Sequence, residues 1–296
     1  MDRTEPGRGD IAAFDGHQYV LLRRHYYLPL PDARDIASIR GTELIGCEFD
    51  PEACFSFHDE HVARFDAEFR SLPHNSADSS VNYHLVNGTF MAVDGNMYYG
   101  LIRSFAPKRI VEIGSGNSTR LACDAIRRNR AEGRSTSHLT CIEPFHTSIL
   151  EQLPEVSEIR REYVQDVGLE VFTSLEAGDI LFIDSTHTVR PGGDVWWEIC
   201  EILPRIKPGV LVHFHDISLP LPYPARTLEN HWYWMEQYFL QAFLSFNKEF
   251  SVVWAGNYLM QAAPARMTAL FGEEYAAMRS AFPDSEPASL WLRRAA

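Results

Sequence analysis

Two groups of residues in this sequence have the types and spacing to do chemistry. The first is a glycine turn, Glu112-Ile-Gly114-Ser-Gly116, between a short apolar run and a helical stretch. Glycines let the backbone turn tightly and approach a ligand, and a helix start offers unpaired N–H donors. A dinucleotide fingerprint would need a third glycine where this chain has Thr119, which disfavours a nicotinamide oxidoreductase. Glu112 directly before the glycines suits a ligand with an ammonium group better than a pyrophosphate. Further on, Glu143 ends a second apolar run, where a carboxylate can accept both ribose hydroxyls. The second group is Asp184, His187, His213, His215 and Asp216. Carboxylates with one or two imidazoles are donors suited to a divalent metal. An imidazole, with its ordinary pKa near neutrality, can also serve as a general base. His213 taken alone reads better as a core histidine.

The elements that must position these residues are regular from about residue 95. Met97–Phe105 reads as a helix, Arg109–Ile113 as a buried strand and Thr119–Arg130 as a helix. Leu139–Ile142 is a second strand, Tyr163–Asp166 a third, Asp179–Ile183 a fourth and Val210–His215 a fifth, with a helix around Val195–Leu203 before the last. Strands alternating with helices imply a mostly parallel sheet covered on both faces. In such a sheet ligands gather outside the carboxyl ends of the strands, so the two groups can converge. Alternation places His213 and His215 on one face of the fifth strand, with Asp216 at its end. Glu229–Phe246 reads as an aromatic-rich helix, and Phe250–Trp254 as a further strand. In that helix Trp232, Tyr238 and Leu240 read as its buried side, and Glu236 needs a partner or solvent for its charge. A helix over about His58–Arg70 and a polar turn, Pro73–Ser80, precede all of this.

A nucleoside without phosphate and with a cationic tail is S-adenosylmethionine. Val111-Glu-Ile-Gly-Ser-Gly-Asn-Ser-Thr119, Cys141-Ile-Glu-Pro144 and Asp179-Ile-Leu-Phe-Ile-Asp184 resemble the successive motifs of class I S-adenosylmethionine-dependent methyltransferases. Phe182-Ile-Asp-Ser-Thr-His187, followed by Lys207-Pro-Gly-Val-Leu-Val-His-Phe-His-Asp216, is similar to the bacterial branch called methyltransferase family 24. The resemblance covers about residues 83–255. It implies an α/β, Rossmann-like fold: a mostly parallel seven-stranded sheet with helices on both faces, plus an N-terminal cap. It also implies that Glu112, Gly114 and Gly116 line the methionine portion, with Ser115 or Asn117 nearby. Glu143 would hold the ribose, Asp166 (with Gln165 as competitor) would contact the adenine amino group, and Asp184 would border the cofactor.

Metal-dependent catechol-type O-methyltransferases are similar around the second group. They carry an Asp after the fourth strand and a pair of acids or Asp-Asn after the fifth. This chain matches at Asp184 and Asp216, with His215 at the first position of the pair and His187 where those enzymes have a lysine. The likeness implies a metal held by Asp184, His215 and Asp216, and a proton accepted by His187. Imidazole favours Mn, Fe or Zn over Mg. Tyr83, Asn87, Asp94, Tyr98 and Tyr99 precede the first strand, where related enzymes contact cofactor and substrate. The substrate-side candidates are Tyr83, Tyr98, His213 and Tyr223, the last within a Pro-rich stretch after the fifth strand.

The 296 residues carry 27 Lys+Arg against 40 Asp+Glu, a net charge of −13, with 45% hydrophobic residues. Such a chain can bury a core, and it lacks the basic stripe of a nucleic-acid binder. No stretch approaches the roughly 18 apolar residues of a membrane span, and Met1–Asp10 is polar, unlike a secretory signal. Five cysteines without CxxC spacing suggest reduced thiols in a cytoplasmic protein. The expected organisation is a cap or lid over 1–80, a cofactor-binding domain over 81–262 and a helix with a tail over 263–296. The expected activity is methyl transfer to a hydroxyl of a small molecule, a sugar or natural product, with a second copy of the chain as candidate partner. Two alternatives stay open: S-adenosylmethionine chemistry without methyl transfer, such as cyclisation or elimination, and a catalytically silent nucleoside-binding module.

Overall fold

The computed structural model describes residues 11–14, 19–22, 24–75, 83–134, 136–145 and 148–295. Met1–Asp10 and residues 76–80 of the polar turn lie outside them. The chain divides into two compact units, Met1–Ile39 and Arg40–Ala296. In the first, strands Ile11–Phe14 and Tyr19–Leu22 pair antiparallel. Its helix, Ala33–Ala37, starts on a capping box in which the Asp32 side chain accepts from the Arg34 and Asp35 N–H groups.

The second unit holds helices α1 (Pro51–His61) and α2 (Ala92–Phe105), strand β1 (Arg109–Ile113), helix α3 (Asn117–Ala131) and strands β2 (His138–Ile142) and β3 (Val156–Arg160). Strands β4 (Ile180–Ile183) and β5 (Leu211–Phe214) follow, then α4 (Glu236–Leu244), β6 (Phe250–Ala255), α5 (Gly256–Ala262), α6 (Pro264–Ala281) and β7 (Leu290–Arg294). The seven strands lie in the order β3-β2-β1-β4-β5-β7-β6. The first five are parallel, and β7 runs antiparallel to both β5 and β6. This is the seven-stranded Rossmann-like sheet that the sequence motifs imply.

The central strands are covered on both faces, which explains their unbroken apolar runs. Ile110, Cys141, Ile180, Phe182 and Leu211 pack toward one cluster, with Leu101, Ile102 and Leu121 from α2 and α3. Val111, Ile113, Leu181, Ile183, Val212 and Phe214 pack toward the other, with Val195, Ile199 and Leu240. The order of strands reverses at β1 and β4, so a crevice opens beyond their carboxyl ends. Gly114 follows β1 there, and Asp184 follows β4.

Three expectations about elements are corrected. The third strand is Val156–Arg160, while Tyr163–Asp166 ends in a single 3-10 turn, Val164–Asp166. Glu229–Phe246 is not one helix: Ala225–Glu229 ends in a turn with His231 at φ +59°, and α4 starts only at Glu236. The tail also differs from expectation, because Leu290–Arg294 is inserted between β5 and β6 and buries Trp291 completely.

Candidate functional site

The glycine turn opens where β1 meets α3. Gly114 has φ +79°, and a Cβ there would collide with the carbonyl oxygen of Asp184. Its requirement for glycine therefore comes from the junction of β1 with β4. At Gly116 a Cβ would meet nothing within 4 Å, so the turn is open on this side and has room for a ligand. Gly116 N–H donates to Thr119 Oγ1 at 3.0 Å. Thr119 donates in turn to Glu112 Oε2 at 2.6 Å, and the Tyr98 hydroxyl donates to Glu112 Oε1 at 2.9 Å. Glu112 shares the face of β1 that Ile110 presents to α2, and it is fully buried. Burial raises its pKa to about 7, against the opposing hydrogen bonds from Thr119 and Tyr98. Both of its oxygens thus hold the shape of the turn. Asn117 opens α3 and is tied to Thr89 Oγ1 at 2.8 Å through its side-chain amide.

Glu143, one residue past β2, lies against the same turn. Its carboxylate accepts from Ser115 N–H at 3.3 Å and from Phe145 N–H at 2.9 Å. Beside it Phe145 and Tyr163, exposed at 66% and 54%, meet edge to face with ring centroids 6.5 Å apart. Sequence reasoning did not single out this pair; two large aromatics flanking a strand-end acid were its signal. Asp166 is exposed on the 3-10 turn, and Gln165 donates through Nε2 to Gly192 O at 3.2 Å.

The second group converges at the ends of β4 and β5. His187 Nε2 lies 3.4 Å from Asp184 Oδ1 and 3.3 Å from Asp216 Oδ2. Its Nδ1 lies 2.7 Å from Glu236 Oε2, so the charge of Glu236 finds its partner here. The His187 carbonyl also accepts the Met235 N–H at 2.8 Å and the Glu236 N–H at 3.1 Å. His187 and Asp216 both occupy the left-handed region, at φ +57° and +55°, a strain that concentrates at functional sites. Behind them, the fully buried Glu198 sits on a π-turn, Glu198–Ile202, and accepts from Ser185 Oγ at 3.1 Å. Burial and then the neighbouring Glu236 raise its pKa well above the ordinary carboxylate range.

Donor atoms of Asp184, His187 and Asp216 lie within 4.8 Å of one another. The metal set expected from sequence had His215 in place of His187. His215 Nδ1 stands 3.8 Å from Asp184 Oδ1 and 3.7 Å from Asp216 Oδ2, so both imidazoles face the same two carboxylates. Two carboxylates with an imidazole fit a divalent ion by donor chemistry. Burial opposes charge on His187, but Asp184, Glu236 and Asp216 outweigh it and hold its pKa well above the ordinary value. The same balance raises His215, through Asp184 and Asp216. Burial would raise Asp216, yet His215 and His187 bring it down to about 2.

An open cleft adjoins this cluster, lined among others by Asp94, His215, Asp216, Tyr223, Trp234 and Asn257. Of the four substrate-side candidates only Tyr223 lines it. Tyr83 is fully buried, with its hydroxyl on Phe90 O at 2.8 Å, and Tyr98 is committed to Glu112. His213 is fully buried, stacked on Phe182 at 4.0 Å and bonded to Ser289 Oγ at 2.8 Å. Burial lowers its pKa well below the ordinary value, so it is a neutral core imidazole. Its pleat position turns it inward with Leu211, which corrects its place among the substrate contacts. Asp94, foreseen only loosely, accepts the Ala288 N–H at 3.0 Å and the Ser289 N–H at 2.9 Å.

A family model described as a methyltransferase domain, that of methyltransferase family 24, matches residues 111–217. The match covers about a third of the chain and identifies residues 111–217 as a methyltransferase domain. An uncharacterized protein of Archaeoglobus fulgidus is 27% identical over 163 residues, which are 51% of this chain and 72% of that protein. Among solved structures, the Podospora anserina methyltransferase PaMTH1 with bound S-adenosylhomocysteine is 13% identical, with 90% of this chain and 98% of that one covered and a TM-score of 0.37. A proposed protein-L-isoaspartate O-methyltransferase of Plasmodium falciparum, in complex with S-adenosyl-L-homocysteine, is 16% identical, covers 56% of this chain and 77% of its own, and has a TM-score of 0.29. The methyltransferase domain contains the glycine turn, Glu143, Asp184, His187, His215 and Asp216. Asp94, Glu236 and Asn257 come from outside it.

The described residues contain no helix long and apolar enough to cross a membrane. All five cysteines are free thiols.

Proposed function

We propose that this methyltransferase transfers the methyl group of S-adenosylmethionine to a hydroxyl of a small-molecule acceptor in the cleft beside Asp184, His187 and Asp216. The observation that carries the reading is the approach of His187 Nε2 to both carboxylates, one strand away from the open face of Gly116. The open turn would take the methionine portion and Glu143 the ribose hydroxyls. Holding both reactants in one crevice makes their encounter effectively unimolecular.

Glu236 and the clamped carbonyl fix the His187 ring, so that Nδ1–H points at Glu236 and Nε2 at the cluster. A neutral ring in that tautomer presents a lone pair at Nε2, positioned to take a hydroxyl proton. A divalent cation on Asp184, Asp216 and His215, among Mg, Mn, Fe and Zn, would leave the His187 nitrogen free and supply the charge that favours the neutral ring and the ionised hydroxyl.

The test is incubation of the protein with S-adenosylmethionine and pooled hydroxylated small molecules, followed by mass analysis. S-adenosylhomocysteine together with a methylated acceptor is the expected outcome. Methylthioadenosine would point to non-methyl chemistry instead, and binding without any product to a silent module. His187→Ala is expected to lower turnover by about 100-fold or more, the usual worth of a positioned base.

A further inference from the structure

The floor of the cleft beyond His215 is polar, and two of its buried polar atoms make no direct hydrogen bond among the described residues. Asn257, where β6 passes into α5, is 5% exposed and lines the cleft, yet its Oδ1 accepts no hydrogen bond. His215 Nε2 pairs with Asp94 Oδ2 only at 3.8 Å, too far for a direct hydrogen bond. An oxygen about 2.8 Å from each of these two atoms closes a triangle on that base, which is ordinary hydrogen-bond geometry. Asp94 is held in place by the Ala288 and Ser289 amides, and a Cβ on Gly256 would lie only 3.6 Å from its Oδ1. Asp94 thus lies against the β6–α5 junction that carries Asn257, and both residues line the cleft.

We infer that this floor is a subsite for further hydroxyls of the acceptor, and that the acceptor is a non-aromatic polyol of the pyranose kind. The inference rests on the methyl-transfer reading and narrows its substrate. His215 divides the cleft: Nδ1 faces Asp184 and Asp216, and Nε2 faces Asp94. The hydroxyl that reacts and the hydroxyls that meet Asp94 and Asn257 lie on opposite sides of that imidazole. A ring bearing hydroxyls on several carbons reaches both sides. A flat aromatic diol, with its two adjacent oxygens at Asp184 and Asp216, leaves the Asn257 oxygen buried and unpaired, which is unfavourable. Trp234 supplies a wall for the apolar face of such a ring. It lines the cleft, its ring centroid is 4.6 Å from that of His187, and it stacks on Trp232 at 5.5 Å and 14°.

The experiment uses the full chain saturated with S-adenosylhomocysteine, titrated with methyl glucopyranoside, methyl mannopyranoside, methyl rhamnopyranoside and catechol by calorimetry or saturation-transfer NMR. At least one pyranoside is expected to bind more tightly than catechol. Asn257→Ala is expected to weaken that pyranoside about tenfold, while Asn257→Asp, which keeps the acceptor oxygen, stays within about threefold of wild type. S-adenosylhomocysteine affinity is expected to be the same in all three proteins. Tighter binding of catechol, or equal losses in the Ala and Asp variants, would overturn the subsite. Failure of wild type to bind S-adenosylhomocysteine would instead overturn the methyltransferase reading beneath it.

Discussion

Gly114 and Gly116 stand two residues apart in one turn, and the same substitution should act on them in opposite ways. At Gly114 the backbone sits at φ +79°, and a Cβ would run into Asp184 O. An alanine held in the left-handed region costs about 1–2 kcal/mol on its own. Relieving the collision parts β1 from β4, which are tied there by Asp184 N–H to Ile113 O at 2.9 Å and flanked by Gly114 N–H to Ile142 O at 3.0 Å. Each such bond contributes about 1 kcal/mol, so Gly114→Ala should destabilise the fold by about 3–4 kcal/mol. Gly116, at φ −173°, lies outside the left-handed region and has open space where the methyl would go. Gly116→Ala should therefore alter stability by no more than about 0.5 kcal/mol. Its methyl group would occupy the space proposed for the cofactor, and S-adenosylhomocysteine affinity should fall at least tenfold. Urea unfolding at 25 °C measures the first effect and calorimetric titration the second. A wild-type unfolding midpoint for Gly114→Ala would refute the tight-junction argument. Undiminished affinity in Gly116→Ala would refute the placement of the cofactor against this turn.

Three further outcomes are expected. Glu112 has a pKa raised by burial from 4.5 to about 7, so its contribution to stability is fully present below the unfolded value and is lost as pH rises through about 7. The full difference is about 3 kcal/mol, and urea melts at pH 5 and pH 8.5 should show about 2–3 kcal/mol more loss in wild type than in Glu112→Gln. Glu236→Gln should lower kcat by about 10–100-fold with little change in cofactor affinity, because the ring of His187 loses its charged anchor. An unchanged kcat would remove Glu236 from any positioning role. Trp291→Ala, at a fully buried position in β7, should cost about 3–5 kcal/mol in denaturant melts; a loss below about 1 kcal/mol would show β7 to be dispensable to the sheet.

The parts of this fold that were legible in the sequence are those whose physics is local or two-sided. Arg109–Ile113 and Ile180–Ile183 are buried on both faces, so each reads as an apolar run regardless of its neighbours. Val156–Arg160 is an edge strand with no fully buried residue, and its Glu158 and Arg160 pair at 2.9 Å across solvent. Its composition therefore looks like a loop, and the more strand-like Tyr163-Val-Gln-Asp166 drew the assignment instead. The sequence likeness set His215 beside Asp184 and Asp216 ahead of His187, whose closer approach to both carboxylates depends on the left-handed turn at His187. That turn is held by amides nearly fifty residues downstream, at Met235 and Glu236. Asn257 carried no motif at all. Its interest comes only from where β6 ends in space and from the oxygen left without a partner.

The insertion of β7 between β5 and β6 couples the cleft to the order in which the chain is made. Asp94 is held by the amides of Ala288 and Ser289, directly before β7, and His213 beneath the site leans on the Ser289 hydroxyl. A nascent chain that has emerged only as far as α6 already carries every residue of the glycine turn and every member of the carboxylate–imidazole cluster. It still lacks the strand that closes the sheet and the two amides that orient Asp94. Contacts across nearly two hundred residues form slowly, since so long a loop must close first. The cleft thereby stays incomplete until synthesis has passed residue 290, and a prematurely terminated product would lack the amides that hold Asp94.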